Sequence, residues 1–472
     1  MPFLLQELKA LLKRVAAFFK IVREGQPPMQ QTIFPDHFSS LFQSAAADFA
    51  RSKLPANAPA PGLENENVSA TTCIASLWND RQPIPDAAPA GITATCWNCA
   101  KLGFELMQAA SQGHAAQVAA IQADTRYSQC DPGWFKVILN YVGFLAASGM
   151  RDEIPYIPAG QVSAQPLPMK PGATVAIIGD WGTGTAEATA LLGQVAAHKP
   201  DVLIHLGDIY YSGTPAECQD NFRTVIDHVF GRPTNPMPVF SLSGNHDMYS
   251  GGEGYYGLLP TLNAPGLRQP ASFFCLRSED NKWQFAAMDT GLHDNDPFNV
   301  DTVLTFLEPD EQQWLTARIA EFEGKTILLS HHQLFSALAQ IGPANAAGNL
   351  APVNPYLLTS YMAFAKAARQ KIAAWFWGHE HMLTIYEPYQ ELDKGRCVGC
   401  GAIPVAAADA PYEALPNLSD VPPFRADVKP MLDEAGCYAH VFAILQLGAD
   451  GNGTAAYYQN LNPGYALFTE PL

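Results

Sequence analysis

Ile204-His205-Leu206-Gly207-Asp208-Ile209-Tyr210-Tyr211 is the stretch on which the fold turns: an apolar run that reads as a buried strand stops at Gly-Asp and then offers two tyrosines. A carboxylate at the C-terminal end of a strand sits where open α/β sheets place their ligands, and its two oxygens can bridge two cations. Taken alone, Gly-Asp after a strand is only a turn. Four further stretches change that reading: Gly179-Asp180-Trp181-Gly182, Gly244-Asn245-His246-Asp247, Ser330-His331-His332 and Gly378-His379-Glu380-His381. Each follows a strand-like run.

The chain around these motifs has 472 residues, more than one ordinary domain, with ample apolar content for a sizeable core. Its 45 acidic and 28 basic residues give a net charge of -17, a field that repels nucleic acid and anionic membranes, so no nucleic-acid partner is expected. An anionic substrate then needs a local positive centre. Nine cysteines, an odd number in a long chain, do not resemble a disulfide framework, and a reducing, cytoplasmic location is the expectation. No apolar run reaches the length of about 18 residues that a spanning helix needs.

Residues 1–165 read as helices punctuated by proline-rich loops. Leu4, Leu8, Leu11, Val15, Phe18 and Val22 alternate at spacings of four and three, with Lys9, Lys13, Arg14, Lys20 and Arg23 largely between them. This is an amphipathic helix over residues 1–24, suited to docking on the protein's own body or to contact with a partner helix or a membrane surface. Lysines interrupt what would be the core of a secretory signal. Phe38, Leu41, Phe42, Ala45 and Phe49 make another apolar face, further helices are expected from Ala100 to Gln122 and from Asp131-Pro132 to near Gly149, and Cys96-Trp97-Asn98-Cys99 reads as buried thiols or a local bridge rather than half of a zinc site. Nothing in these residues suggests chemistry.

A proline-rich linker around Val162 to Gly172 marks the boundary between residues 1–165 and a catalytic domain over 166–472, where strands begin to alternate with helices. Strands are expected at Thr174–Ile178, Val202–Leu206, Val239–Leu242, Phe273–Leu276, Gln284–Met288, Thr326–Leu329 and Ala373–Trp377, and further runs at Tyr438–Leu447 and Thr454–Gln459. Helices fall at Glu187–Ala197, after Thr214-Pro215, after Pro309 and through Tyr361 to Ile372. Five strand ends thus present aspartates, a tyrosine, an asparagine and histidines, oxygen and nitrogen donors suited to harder transition metals.

The order and content of the five motifs resemble the calcineurin-like metallophosphoesterases, and more closely the purple acid phosphatases among them, over about residues 172–405. In the wider superfamily the first motif is Asp-x-His. Here glycine stands where that histidine would be, and Tyr211 is taken to regain the lost ligand. The resemblance implies an α/β fold, a four-layer α/β/β/α metallophosphoesterase sandwich preceded by a mostly α-helical N-terminal domain. It also implies two metal ions: Fe(III) on Asp180, Asp208, Tyr211 and His381, and a divalent iron, zinc or manganese on Asp208, Asn245, His331 and His379, with Asp208 as the bridge. The family's His-x-Pro reads His331-His332-Gln333 here, and strand register selects His331 over His332. His246 matches the histidine that contacts the phosphate and assists the leaving group.

Such a site suits phosphate esters. The two ions bring about +5 and their anionic ligands remove about four charges, leaving about +1 for a phosphate dianion. The function so implied is hydrolysis of phosphate monoesters, on a small molecule or a phosphorylated partner, by attack of a metal-held hydroxide, with an acid optimum and His246 protonated as the acid. A phosphodiesterase or pyrophosphatase with the same metals is the alternative, with walls from Gly251 to Tyr256 and Gly342 to Pro355. A partner-binding protein with a decayed site is the alternative of another class. Around the motifs, His205 is expected in the core, His293 in a loop, Tyr210 pointing away from the metals by strand alternation, and Trp181 in either packing or the pocket wall.

Overall fold

The computed structural model describes residues 101, 105, 114–127, 131, 137, 140, 141, 144 and 154–472, the last apart from 233, 235 and 298–301. The expected helices at 1–24 and 38–49 and the Cys96/Cys99 pair lie outside them. Two sheets organise the described residues. One runs β1-β5-β6-β7-β8-β10-β9, from β1 (Leu167–Met169), β5 (Phe274–Ser278), β6 (Trp283–Ala287), β7 (Lys325–Leu329), β8 (Ile372–Trp377), β9 (Leu383–Ile385) and β10 (Gly395–Val398). The other runs β13-β12-β11-β2-β3-β4, from β2 (Thr174–Ile178), β3 (Val202–His205), β4 (Val239–Ser241), β11 (Val441–Leu447), β12 (Gly453–Gln459) and β13 (Ala466–Pro471).

Both faces of the central strands are apolar, and the alternation of side chains sorts them into layers. Val175 and Ile177 of β2 face the other sheet and pack with Ile204, Phe240, Phe285, Ile327, Leu329 and Phe376. Ala176 and Ile178 face outward onto α1 (Ala186–Ala197), through Leu191, Leu192 and Val195, and onto Phe222 and Ile226. On the far side, Leu328, Trp375 and Trp377 receive α2 (Pro309–Ala320) and α3 (Pro355–Ala368) through Leu315, Ile319, Tyr361 and Phe364. The result is the four-layer α/β/β/α sandwich. A buried bidentate pair ties the sheets: Arg396 of β10 donates to both oxygens of Glu470 of β13 at 2.7 and 2.6 Å, with the Tyr457 hydroxyl donating to the same carboxylate.

The parallel arrangement positions the site. β2, β3 and β4 are parallel neighbours, as are β6, β7 and β8, so their C-terminal ends gather at one edge of each sheet. β5 and β6 are antiparallel. Before the sandwich, Ala115–Thr125 is helical with His114 outside it, so the helix expected from Ala100 to Gln122 is not continuous. Val137, Asn140, Tyr141 and Phe144 are helical, in keeping with the helix expected after Asp131. Tyr127 and Val137 pack in one apolar cluster with Tyr210, Tyr211, Tyr249 and Ile403.

Candidate metal centre

Each candidate ligand sits where a strand gives way to a turn. Asp180 follows β2, Asp208 follows β3, Asn245 opens the short helix Asn245–Met248 after β4, His331 follows β7, and His379 and His381 follow β8. Asp180, Asp208, His379 and His381 adopt left-handed backbone, with φ of 54°, 75°, 68° and 50°. Space is kept for their side chains by glycine. A Cβ on Gly244 would collide with the Asp208 carboxylate, and one on Gly378 would come within 2.5 Å of Asp180 Oδ2.

Asp180, Asp208 and His381 form one group of side chains. The hydroxyl that joins them belongs to Tyr210: it donates to Asp180 Oδ1 at 3.2 Å and Asp208 Oδ2 at 3.1 Å, and lies 2.9 Å from His381 Nε2. Tyr211, the residue taken for this place, turns the other way. Its hydroxyl donates to Asp131 Oδ2 at 2.5 Å and its ring stacks on Tyr127. The expectation failed for a definite reason: β3 ends at His205, and Gly207 and Asp208 both have positive φ, so strand alternation does not carry through to the tyrosines.

Asn245, His331 and His379 form the second group. His331 Nδ1 lies 2.9 Å from the Leu206 carbonyl and must donate to it, which leaves Nε2 as a lone pair. Asn245 gives its amide N–H to the Tyr249 hydroxyl at 2.6 Å, so its Oδ1 faces inward, 3.0 Å from His331 Nε2 and 3.1 Å from His379 Nδ1. Lone pairs of His331 and Asn245 therefore point at one another. A cation between them satisfies both, and this donor chemistry fits a metal better than a hydrogen bond. Asp208 stands between the groups, with Oδ2 on Tyr210 and Oδ1 3.5 Å from His331 Nε2.

The electrostatics point the same way. Burial first, then the neighbouring Asp180 and Asp247, push the Asp208 pKa well up. Burial holds His331 and His379 well below the ordinary imidazole value, so they are neutral donors. Asp247 is no part of the ligand groups. It accepts N–H from Asp208, Ile209 and Gly244 at 3.0, 3.2 and 2.8 Å and so buttresses the two loops, while burial raises its pKa to about 7. Glu380 likewise turns away, onto Trp377 Nε1 and Ser336 Oγ.

His246 N–H donates to Asp208 Oδ1 at 3.0 Å, and its Nδ1 donates to the Tyr211 carbonyl at 2.7 Å, so Nε2 is the nitrogen on the Asp208 side, 4.0 Å from Oδ2. Burial lowers its pKa to about 3, against the expectation of a freely protonated acid. His332 lies close enough to His331 and His379 to share a metal with them, but its Nδ1 is on Thr290 Oγ1 and its Nε2 on Asp294 Oδ2, each at 3.1 Å. Those partners hold it as a carboxylate-paired wall of the second group. His205 is a core residue, fully buried beside Phe222 with Nδ1 3.0 Å from Ser241 Oγ, and Trp181 is packing, donating to the Ala188 carbonyl and lying on Phe222. The Gly251-to-Tyr256 stretch is mostly helix, the start of Glu253–Leu262.

The family model described as calcineurin-like phosphoesterase matches residues 173–383. Those residues belong to that family. Together with the two groups of donor side chains, this makes the domain that of a metal-dependent phosphoester hydrolase. Among solved structures, the chain is similar to GAP50, the anchor in the inner membrane complex of Plasmodium, with 14% identity and a TM-score of 0.41 over 64% of this chain and 88% of that one. It is also similar to the purple acid phosphatase PPD1 from yellow lupin seeds, Lupinus luteus, with 15% identity and a TM-score of 0.41 over 65% of this chain and 54% of that one. No curated protein sequence matches the chain. Among the described residues, no helix of the phosphoesterase or of the segment before it is long and apolar enough to cross a membrane.

Sequence reading missed Tyr210, the His332–Asp294 pair, and the approach of Tyr127 and Asp131 to the site, where Tyr127 donates to the Thr183 carbonyl at 2.6 Å. The Gly-Asp turn was the one signal for Tyr210. Asp131 carried none, since its partner lies 80 residues away.

Proposed function

We propose that the phosphoesterase is a binuclear-metal hydrolase of phosphate monoesters of the purple acid phosphatase type, with Tyr210 in the role first given to Tyr211. The observation that carries this reading is the Tyr210 hydroxyl within 3.2 Å of Asp180, Asp208 and His381, a phenol oxygen beside two carboxylates and an imidazole. Asp180, Asp208, Tyr210 and His381 would hold the first ion, iron(III), and Asp208, Asn245, His331 and His379 a divalent iron, zinc or manganese. When bound, the pair supplies Lewis-acid activation of the phosphate oxygens and of the attacking water. The chain's own part is orientation and proton handling. Leu206 and Tyr249 fix the inward atoms of His331 and Asn245, and Tyr211 commits His246 Nδ1, so that Nε2 is the nitrogen left to take up a proton and pass it to the departing oxygen.

The test is metal analysis of the purified protein beside turnover of nitrophenyl phosphate, bis(nitrophenyl) phosphate and pyrophosphate from acid to neutral pH. Two ions per chain, one of them iron, with the monoester hydrolysed fastest, is the expected result. Faster turnover of the diester or pyrophosphate would replace the substrate class while keeping the site. A protein that binds no metal and turns over none of the three would overturn the reading in favour of a partner-binding role.

A further inference from the structure

Among the described residues before the phosphoesterase domain, Asp131 is linked to its His246 through Tyr211. Asp131 is buried, and its Oδ2 accepts two short hydrogen bonds, from the Tyr127 backbone N–H at 2.6 Å and from the Tyr211 hydroxyl at 2.5 Å. Tyr127 is fixed in turn, with its hydroxyl on the Thr183 carbonyl and its ring stacked on Tyr211 at 4.6 Å between centroids. At the other end of Tyr211, the backbone N–H donates to Glu217 Oε1 at 2.8 Å and the carbonyl accepts from His246 Nδ1 at 2.7 Å. Asn140 adds a further contact, from its amide to Ser212 Oγ at 3.2 Å.

The geometry of this chain has a direct chemical meaning. An imidazole whose Nδ1–H is committed to a carbonyl presents Nε2 for proton transfer, and the angle at which it does so is set by that carbonyl. The Tyr211 carbonyl lies in a turn, outside any ladder of strand hydrogen bonds, so its direction is held by the side-chain anchors of Tyr211 and by Glu217. Buried hydrogen bonds to a carboxylate are stronger than neutral ones and locate their partners closely. We propose that Asp131 is a positioning residue for His246, acting through Tyr211, so that the segment before residue 166 completes the active site of the phosphoesterase. The inference rests on the phosphatase reading for its kinetic consequence, but its structural half does not. It also crosses the division at 165/166 drawn from the sequence, in which the first part supplied no group to the chemistry.

The test uses the full chain with Asp131→Asn and Tyr211→Phe, the second of which keeps the ring and the carbonyl and removes only the hydroxyl. In zinc-loaded protein labelled with 15N-histidine, the wild type should show one His246 tautomer with a slowly exchanging Nδ1 proton, and both variants should lose it. For turnover, kcat on an alkyl phosphate should fall about tenfold to a hundredfold, as expected for a misplaced group, with KM and metal content unchanged and a smaller loss on nitrophenyl phosphate, whose leaving group needs no proton. In a His246→Ala background neither substitution should lower the rate further. Equal loss on both substrates, or loss that multiplies upon that of His246→Ala, would overturn the proposal and leave Asp131 a purely structural anchor. An unchanged Nδ1 signal in both variants would overturn it as well. A wild type without phosphatase turnover would defeat the function proposed above, and the spectra would still decide the role of Asp131.

Discussion

Tyr210→Phe removes one oxygen from the point where Asp180, Asp208 and His381 meet, and the loss can be sized from what that oxygen touches. It lies 2.9 to 3.2 Å from an atom of each of the three residues, which in the proposed function makes it one of four donors to the first ion. Removing an outer partner of a metal ligand costs about 10- to 100-fold in affinity. Removing a donor itself should cost at least the upper figure, about 2.7 kcal/mol, at that ion alone. Tyr211→Phe, by contrast, leaves the donor set whole. It deprives the buried Asp131 of one hydrogen bond, worth about 1–3 kcal/mol of folding stability, with no change in metal affinity. Titration calorimetry of both metals and denaturant unfolding of the metal-free protein separate these outcomes. The oxidised iron-loaded protein adds a second measurement, because a phenolate beside iron(III) gives a charge-transfer band in the visible. The band should vanish in Tyr210→Phe and survive in Tyr211→Phe. A band or an affinity lost with Tyr211 and kept without Tyr210 would refute the assignment.

Gly244→Ala should lose metal and nearly all turnover while the protein stays folded, since the added methyl would occupy the place of the Asp208 carboxylate although the backbone φ of -102° suits any residue; normal metal content in the folded variant would count against Asp208 as the bridge. Metal uptake should release protons from Asp208, whose pKa is raised, and from Tyr210, but none from His331 or His379, which are already neutral. The Asp208 share falls as pH rises through its raised pKa, while the Tyr210 share persists, so calorimetry in buffers of different ionisation enthalpy should find about one proton fewer in Tyr210→Phe at every neutral pH. Equal release by the two proteins would place the phenol outside the ligand set.

The sandwich was legible because its central strands are buried on both faces and carry apolar runs, as in residues 175–178 and 327–329. β9, with three residues, and β10, which carries Gly395 and Arg396, give no such run, and β13 is half exposed at a sheet edge. The candidate ligands other than Tyr210 were legible for a related reason: each stands two to four residues beyond a strand that could be located. Between Tyr210 and Tyr211 the argument needed a side-chain direction, and that passes through Asp208 at φ 75°, where no period of two applies. The Asp131–Tyr211 bond joins segments far apart in the chain and depends on tertiary packing alone. His332 took its partners, Thr290 and Asp294, from a loop whose path no local pattern dictates.

Asp180, Asp208, His379 and His381 all hold a backbone conformation that glycine would adopt freely, and for an L-residue each costs on the order of 1 kcal/mol or more. Four such residues amount to about 4 kcal/mol, set against a net stability of about 5–15 kcal/mol for a typical domain. A chain shaped only to fold would place glycine at these four positions and gain by it. The side chains kept there instead are a record of selection for something other than stability, and they predict where a search for more robust variants would first destroy the enzyme while improving the protein.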